Sequence, residues 1–319
     1  MEIVNYENPN KVKYFDLRDY VSKIKLNSNV LEHMEETNKD FDTYMKRINA
    51  CEEEDVIHLW LISMAEEIVK SNQIENHYVK RQDVLKEDLF IRSMDINHDR
   101  ILELRNFVLK NEPVTGYRKG PVKVSAVYKD KPEKIFWYGP EAEDVPKFMD
   151  DFIEIYKSQD LSLIDSNPFL KSALIHLLFV RIHPFGDGNG RTARLLHSIK
   201  VTEQMNKAYN KTYRLSPMNI SGSILINQIT YINILDSIYF DLEHDNNEYI
   251  NKWFDFILNM VDEQLYFSRS QLDKLRKTYD LYKIDDQTFN KIFNRIVNDM
   301  MSVDEISELE PNKVLTLLK

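Results

Sequence analysis

Residues 183–194 read His-Pro-Phe-Gly-Asp-Gly-Asn-Gly-Arg-Thr-Ala-Arg, and three of the chain's seven glycines, Gly186, Gly188 and Gly190, fall inside them. That density calls for a tight turn whose backbone amides can approach another group closely. The run that follows, Thr192-Ala-Arg-Leu-Leu-His-Ser-Ile199, reads as a helix. Glycine amides opening onto a helix N-terminus make an anion site, because free N–H groups converge there and the helix dipole favours negative charge. Around that site stand a candidate base (His183), a candidate Mg²⁺ ligand (Asp187), an amide (Asn189) and two guanidinium groups (Arg191 and Arg194). The stretch reads as a cradle for phosphate with reactive groups attached.

Bulk composition narrows the surroundings. The chain has 319 residues, 43% of them hydrophobic and 29% charged, which describes a globular protein able to bury a sizeable core. A formal charge of −10 argues against phosphate-driven binding of nucleic acid as the main activity. The one cysteine, Cys51, excludes an internal disulfide framework and any paired-cysteine metal site. Neither a leader peptide nor an apolar run of about 20 residues is evident, so a cytoplasmic protein without membrane spans is expected.

Low glycine with abundant Leu, Ile, Lys and Glu predicts a mainly α fold. Residues 1–40 are polar and weakly periodic, and a few short helices are expected there. Val56, Leu59, Trp60, Ile62, Met64, Ile68 and Val69 recur at helical spacing after an acidic start, giving a helix over 52–70 that leads into Ser71. A second helix carries Ile101, Leu104 and Val108. Val122–Tyr128 and Ile135–Tyr138 are rich in β-formers around a polar turn and predict a β-hairpin. A lone hairpin is marginal in water, so it must lean on the helical body.

Phe148, Met149, Phe152, Ile153 and Tyr156 mark a further amphipathic helix. Ser166-Asn167-Pro168 is cap-plus-proline chemistry opening another, which is apolar on nearly every face from Ala173 to Val180 and should be the buried central helix. It delivers the chain into His183. Helices are also expected over 224–240 and 248–267, with a charged helical appendage from about 270. His176 and His197 read as core or helix-surface histidines, and Arg181 as a surface or supporting residue.

The 183–194 stretch resembles the Fic-domain signature His-x-Phe-x-(Asp/Glu)-Gly-Asn-Gly-Arg-x-x-Arg and matches each of its defined positions. The lead-in His176–Ile182 and the run Gly116-Tyr117-Arg118, hairpin, Val145–Met149 are similar to the family's central helix and its flap. The resemblance implies a Fic-type helical bundle, with an N-terminal helical region over 1–110, a catalytic core with flap over 111–268 and a small appendage over 269–319. It further implies transfer of AMP from ATP to a Ser, Thr or Tyr hydroxyl of a protein target, itself included.

In that reading His183 is the general base and Phe185 locks the loop. Asp187 holds Mg²⁺. Asn189 and the amides around Gly186, Gly188 and Gly190 bind α- and β-phosphate oxygens, and Arg191 and Arg194 grip the β- and γ-phosphates. Tyr231 matches a tyrosine common in the family's nucleoside-pocket helix. The asparagine often found near the adenine is not evident, and only the start of a C-terminal winged helix is faintly matched, at Met301–Leu309.

Ser71-Asn-Gln-Ile-Glu75-Asn76 resembles the family's inhibitory-helix pattern (Ser/Thr)-x-x-x-Glu-(Gly/Asn). The resemblance implies that Ser71 and Glu75 belong to a brake, with Glu75 paired to Arg194 in place of the γ-phosphate. Removal of AMP, kinase-like or phosphocholine transfer, and a nucleotide-responsive regulator with vestigial catalysis stay open as alternatives, as does a homodimer.

Overall fold

A computed structural model of the chain describes residues 12–282, apart from 52, 86–90, 92, 127–132, 160–163 and 165–166. Along the described chain run α1 (Leu17–Ser22), α2 (Ser28–Ile48), α3 (Glu53–Ile74), α4 (Arg81–Leu85) and α5 (His98–Val108). The two strands β1 (Lys123–Ala126) and β2 (Lys134–Tyr138) follow, then α6 (Val145–Lys157), α7 (Pro168–Ile182) and α8 (Asn189–Tyr209). The chain continues through α9 (Ser221–Ile226), α10 (Gln228–Ser237) and α11 (Asn247–Tyr282).

Helix α7 is the axis. Asn167 caps it, its side chain accepting from the amides of Phe169 and Leu170, with Pro168 at the first turn where no N–H is needed. Every side chain from Phe169 to Ile182 is buried. A helix apolar all round must be enclosed on all sides, and α6, α8 and α11 pack against it. Trp253 on α11 is fully buried and donates its indole N–H to the Ala173 carbonyl.

Three expectations change. Residues 28–48 form one long helix, where short ones were expected. Its buried positions Val30, Thr37, Phe41, Tyr44, Met45 and Ile48 recur at helical spacing, masked in the sequence by intervening charge, and the helix lies along α11. The helix expected over 224–240 is two, α9 and α10, broken at Asn227 (φ −104°, ψ 24°). The helix expected over 248–267 is longer, for α11 runs unbroken to Tyr282. The N-terminal region is stitched to the core, for the Asp151 carboxylate accepts from Tyr14 Oη and from the Leu17 amide. The winged-helix resemblance at 301–309 lies outside the described residues.

The two strands pair antiparallel, Val124 opposite Trp137 and Ser125 opposite Ile135, which leaves Phe136 as a bulge. Trp137 anchors the hairpin, being buried with Arg181 of α7 stacked over its ring at 4.9 Å. Arg181 is therefore an interior residue, where a surface place was allowed. It donates to the Leu235 carbonyl, and burial pulls its guanidinium down to about 10.

Candidate active site

The site is built where α7 ends and α8 begins. His183 terminates α7 in the left-handed conformation (φ 52°, ψ 59°), with its amide bonded to the Phe179 carbonyl. That backbone turns the chain out of the core and brings the imidazole to the lip of the loop. Its Nδ1 lies 3.1 Å from the Val180 carbonyl. A carbonyl only accepts, so Nδ1 carries the proton and Nε2 keeps its lone pair. Burial is the main influence on the ring, with the nearby Arg118 charge adding to it, and the imidazole is pushed down to about 4. It is neutral at physiological pH, as a general base must be.

The loop is braced from inside. Asn189, which is 2% exposed, accepts from the Phe185 amide at 2.9 Å and donates to the Phe185 carbonyl at 2.8 Å. One oxygen contact and one of the two amide N–H groups of its side chain thus brace the loop from inside. Gly188 caps α8 with φ 90°, a conformation that disfavours side chains, and a Cβ there would come within 2.9 Å of Leu109. Thr192 is the first residue of α8 whose amide bonds back, to the Gly188 carbonyl, so the amides of Asn189, Gly190 and Arg191 lead the helix. Gly186 lies at the exposed tip, with open space around it.

Asp187 is half-exposed, and Arg191 Nη2 lies 3.1 Å from each of its carboxylate oxygens. One accessible carboxylate beside an anion site is a donor set that suits Mg²⁺, which commonly takes one or two carboxylates and completes its shell with substrate phosphates and water. Among the described residues no group of three or more His, Cys, Asp or Glu side chains is gathered for a metal.

The second arginine is enclosed. Arg194 is 1% exposed, its Nε donates to Ser71 Oγ at 2.8 Å, and its Nη2 donates to the Ser71 carbonyl at 3.0 Å and to Glu75 Oε1 at 2.7 Å. Burial pulls the guanidinium down, but Glu75, Tyr231 and Glu67 together hold it above its ordinary range, so it stays charged. A Cβ on Gly190 would fall 2.5 Å from Glu75 Oε1, so the carboxylate lies directly over the start of α8. Tyr231 is buried, its hydroxyl beside Arg194 and 3.0 Å from His176 Nε2, which places it behind the arginine.

Ser71 and Glu75 come from the end of α3, and local chemistry explains how that end is closed. Asn76 takes φ 59°, its amide bonds to the Gln73 carbonyl, and the His77 amide reaches back to the Asn72 carbonyl. This is a Schellman close, in which Gly or Asn is favoured because the residue must be left-handed. It stops the helix so that Glu75, one residue past Ile74, overhangs α8.

Several residues at the site escaped the sequence reading. Glu67 sits one and two turns before Ser71 and Glu75 on the same face of α3, fully buried, and accepts from the Ser221 amide and hydroxyl at the start of α9. Burial raises its carboxyl, against the opposing pull of Ser221 and Arg194. Asn72 accepts from Arg191 Nη1 at 3.3 Å. Arg105, buried on α5, donates to the Asp187 carbonyl at 3.2 Å, and Arg118 donates to the His183 carbonyl at 2.8 Å. Helical spacing from Ser71 was the one available signal, and it points to Glu67. The others act through main-chain carbonyls or single long contacts that no spacing encodes.

A mostly helical bundle with a glycine-rich loop between two central helices and a two-stranded flap beside it is the fold of the Fic proteins. Residues 95–199 match the Fic/DOC family model, and that stretch of the chain is a Fic domain. It is 36% identical over 104 residues to "Protein adenylyltransferase fic-1" of Caenorhabditis briggsae, a match covering 32% of this chain and 18% of that protein. It is 47% identical over 57 residues to "Protein adenylyltransferase Fic" of Nematostella vectensis, covering 18% of this chain and 13% of that protein. The matched stretch therefore spans less than a fifth of these relatives' length. Two solved structures share the fold. A Fic family protein from Desulfovibrio desulfuricans G20 matches with TM-score 0.50 at 17% identity, over 92% of this chain and 88% of that one. A Fic domain containing signalling protein from Bacteroides thetaiotaomicron VPI-5482 matches with TM-score 0.52 at 17% identity, over 75% and 97% respectively.

Proposed function

We propose that this protein transfers AMP from ATP to a hydroxyl of a protein target, and that Glu75 holds the activity down. The observation that carries the reading is the juxtaposition of a neutral imidazole with a free Nε2 and a helix N-terminus flanked by two buried arginines. His183 Nε2 takes the proton of the acceptor hydroxyl. The oxygen forms a bond to the α-phosphorus while the bond to the bridging oxygen breaks, and pyrophosphate leaves with that electron pair. Amides at the start of α8 face the charge that grows on the phosphoryl oxygens, and such preorganised donors are among the largest contributions to catalysis. Arg191 and Arg194 hold the leaving phosphates by paired N–H contacts. A Mg²⁺ ion held by Asp187 would neutralise phosphate charge, which requires Asp187 to give up Arg191. The hairpin adds a segment of the target as a further strand and so brings its hydroxyl to His183.

Glu75 opposes this by occupying Arg194. ATP must compete with a carboxylate 2.7 Å from the guanidinium and lying over Gly190. The half-exposed position of Glu75 above the anion site also favours a second reading, in which the carboxylate orients water to remove AMP from a modified target.

The test uses wild type, Glu75→Gly and His183→Ala, each given Mg²⁺ and ATP labelled at the α-phosphate. The expected result is protein-bound label from Glu75→Gly, little from wild type and none from His183→Ala. Transfer of γ-label in its place would overturn the reading in favour of a kinase. Release of AMP from a modified target by wild type, lost in Glu75→Gly, would establish the second reading.

A further inference from the structure

Arg118 lies just before the hairpin, is half-buried, and bonds to no carboxylate among the described residues. It spends its whole fork on main-chain carbonyls. Nε donates to His183 at 2.8 Å, Nη1 to Gly120 at 2.8 Å and Nη2 to Pro140 at 2.6 Å, while the Arg118 amide donates to the Pro184 carbonyl at 2.9 Å. These carbonyls belong to three segments, namely the loop that carries the base, the chain running into β1 and the chain leaving β2. Burial brings the guanidinium down to about 10, which leaves it charged at neutral pH.

The opposite side of the same junction is closed by a glycine. A Cβ on Gly139 would lie 2.6 Å from Val122 Cγ1, 3.0 Å from Arg118 Nη2 and 3.6 Å from His183 Cβ. The Gly139 amide is bonded to the Val122 carbonyl. The backbone leaving the hairpin therefore crosses over the base with no room for a side chain. His183 itself sits in a left-handed conformation that a non-glycine residue adopts only at a cost, and its carbonyl is the one that Arg118 Nε holds.

We propose that Arg118 is a positioning residue that joins the His183 loop to both ends of the hairpin, so that the base and the strand presenting the acceptor keep one relative placement. The proposal rests on the reading of His183 as the base and of the hairpin as the presenting strand. Its physical weight comes from geometry, since a misplacement of about 1 Å between reacting groups can cost about 10²-fold in rate. Arg118 shares no hydrogen-bond partner with Arg191 or Arg194, so nucleotide binding should not depend on it.

The test places Arg118→Lys, Arg118→Met and Gly139→Ala in the full chain with Glu75→Gly. Lysine keeps the charge but cannot reach three carbonyls, and Gly139→Ala wedges the junction open while leaving the arginine in place. The expected result is a 10- to 100-fold loss of transfer in all three, about the size that misplacement produces, with the Kd for ATP within about twofold of the parent. Turnover in Arg118→Lys equal to that of the Glu75→Gly parent would overturn the proposal, because charge alone would then suffice. Loss of ATP binding in step with turnover would overturn it too, by making the defect general.

Two readouts need no activity and separate this proposal from the function itself. Amide hydrogen exchange at Gly139 should speed up at least tenfold in Arg118→Met. The His183 imidazole, which faces Arg118, Glu75 of α3 and Arg181 of its own helix, should titrate higher in Arg118→Met than in Arg118→Lys. Should Glu75→Gly transfer nothing at all, the proposed function fails while the exchange measurement still decides whether Arg118 holds the junction. Unchanged exchange in Arg118→Met would sink the proposal by itself.

Discussion

Two structures flank the start of α8, the end of α3 on one side and the root of the hairpin on the other, and each holds the site through arginine. On the α3 side, Ser71 and Glu75 hold Arg194, and Asn72 touches Arg191. In the proposed function these are the groups a nucleotide needs, so ligand and helix would compete. On the hairpin side, Arg118 grips the carbonyls of His183, Gly120 and Pro140, none of which a phosphate would contact. The same residue type therefore serves two ends. A contact that a ligand must displace can regulate, whereas one that it leaves alone can only position.

The largest effect should come from the base between the two sides. His183→Ala is expected to lower AMP transfer by about 10²–10⁴-fold with ATP affinity retained, measured as α-label transfer beside nucleotide binding. Retained transfer would mean that the hairpin side aligns something other than a base.

Releasing the α3 side should act in the opposite direction. Glu75→Gly is expected to raise transfer by about 5–150-fold, the usual span of coupling between two sites. It should also tighten ATP binding, since Arg194 gains the γ-phosphate as a partner. A variant that gains turnover with no change in affinity would show that Glu75 misdirects bound ATP and does not compete with it.

Acid separates the sides by a different route. Burial, the main cause in each case, holds His183 and His197 down to about 4 and His176 well below its ordinary value. The unfolded chain binds these protons below about pH 6.5 while the folded chain does not, so stability is fully present above that pH and is lost as pH falls. Each histidine contributes a slope of about 1.4 kcal/mol per pH unit between about pH 6.5 and its folded value. His33, on α2 between Asp255 and Asp262, differs, because those carboxylates outweigh the burial that opposes them and raise it. Its contribution is present below about pH 6.5 and is lost as pH rises through the folded value. Denaturant unfolding from pH 5 to 8 should give a maximum near neutrality, and His33→Asn should flatten the alkaline side alone. The rate of transfer should show no loss of base down to about pH 5.

The smallest expected change is at Asn72. Its 3.3 Å contact to Arg191 is long for a hydrogen bond, and Asn72→Ala should raise transfer by about 2–10-fold, less than Glu75→Gly. An effect as large as that of Glu75→Gly would make Arg191 an equal arm of the brake.

The run 183–194 carried its own reading, because glycines, a cap position and charged side chains at fixed spacing describe a loop–helix corner without help from the rest of the chain. The end of α3 was less legible, for apolar spacing carries a helix only to 70, whereas the chain stays helical to Ile74 and closes at the left-handed Asn76. Periodicity marked α7, since a helix apolar all round has to be enclosed. It failed over 28–48, where charge hides the stripe that packs on α11, and at Asn227, where one residue breaks a run that is apolar on both sides.

What the sequence determined by itself was local, namely the loop–helix corner at 183–194 and which helix is buried. Short-range sterics and hydrogen bonding decide those things within a few residues. The tertiary structure alone decided that Asn189 braces the loop from inside, that Tyr231 stands behind Arg194, and that Glu67, Arg105 and Arg118 support the site. Those roles depend on which buried carbonyls and carboxylates packing brings within 3 Å or so of a donor, and distant segments meet only when the core closes around α7.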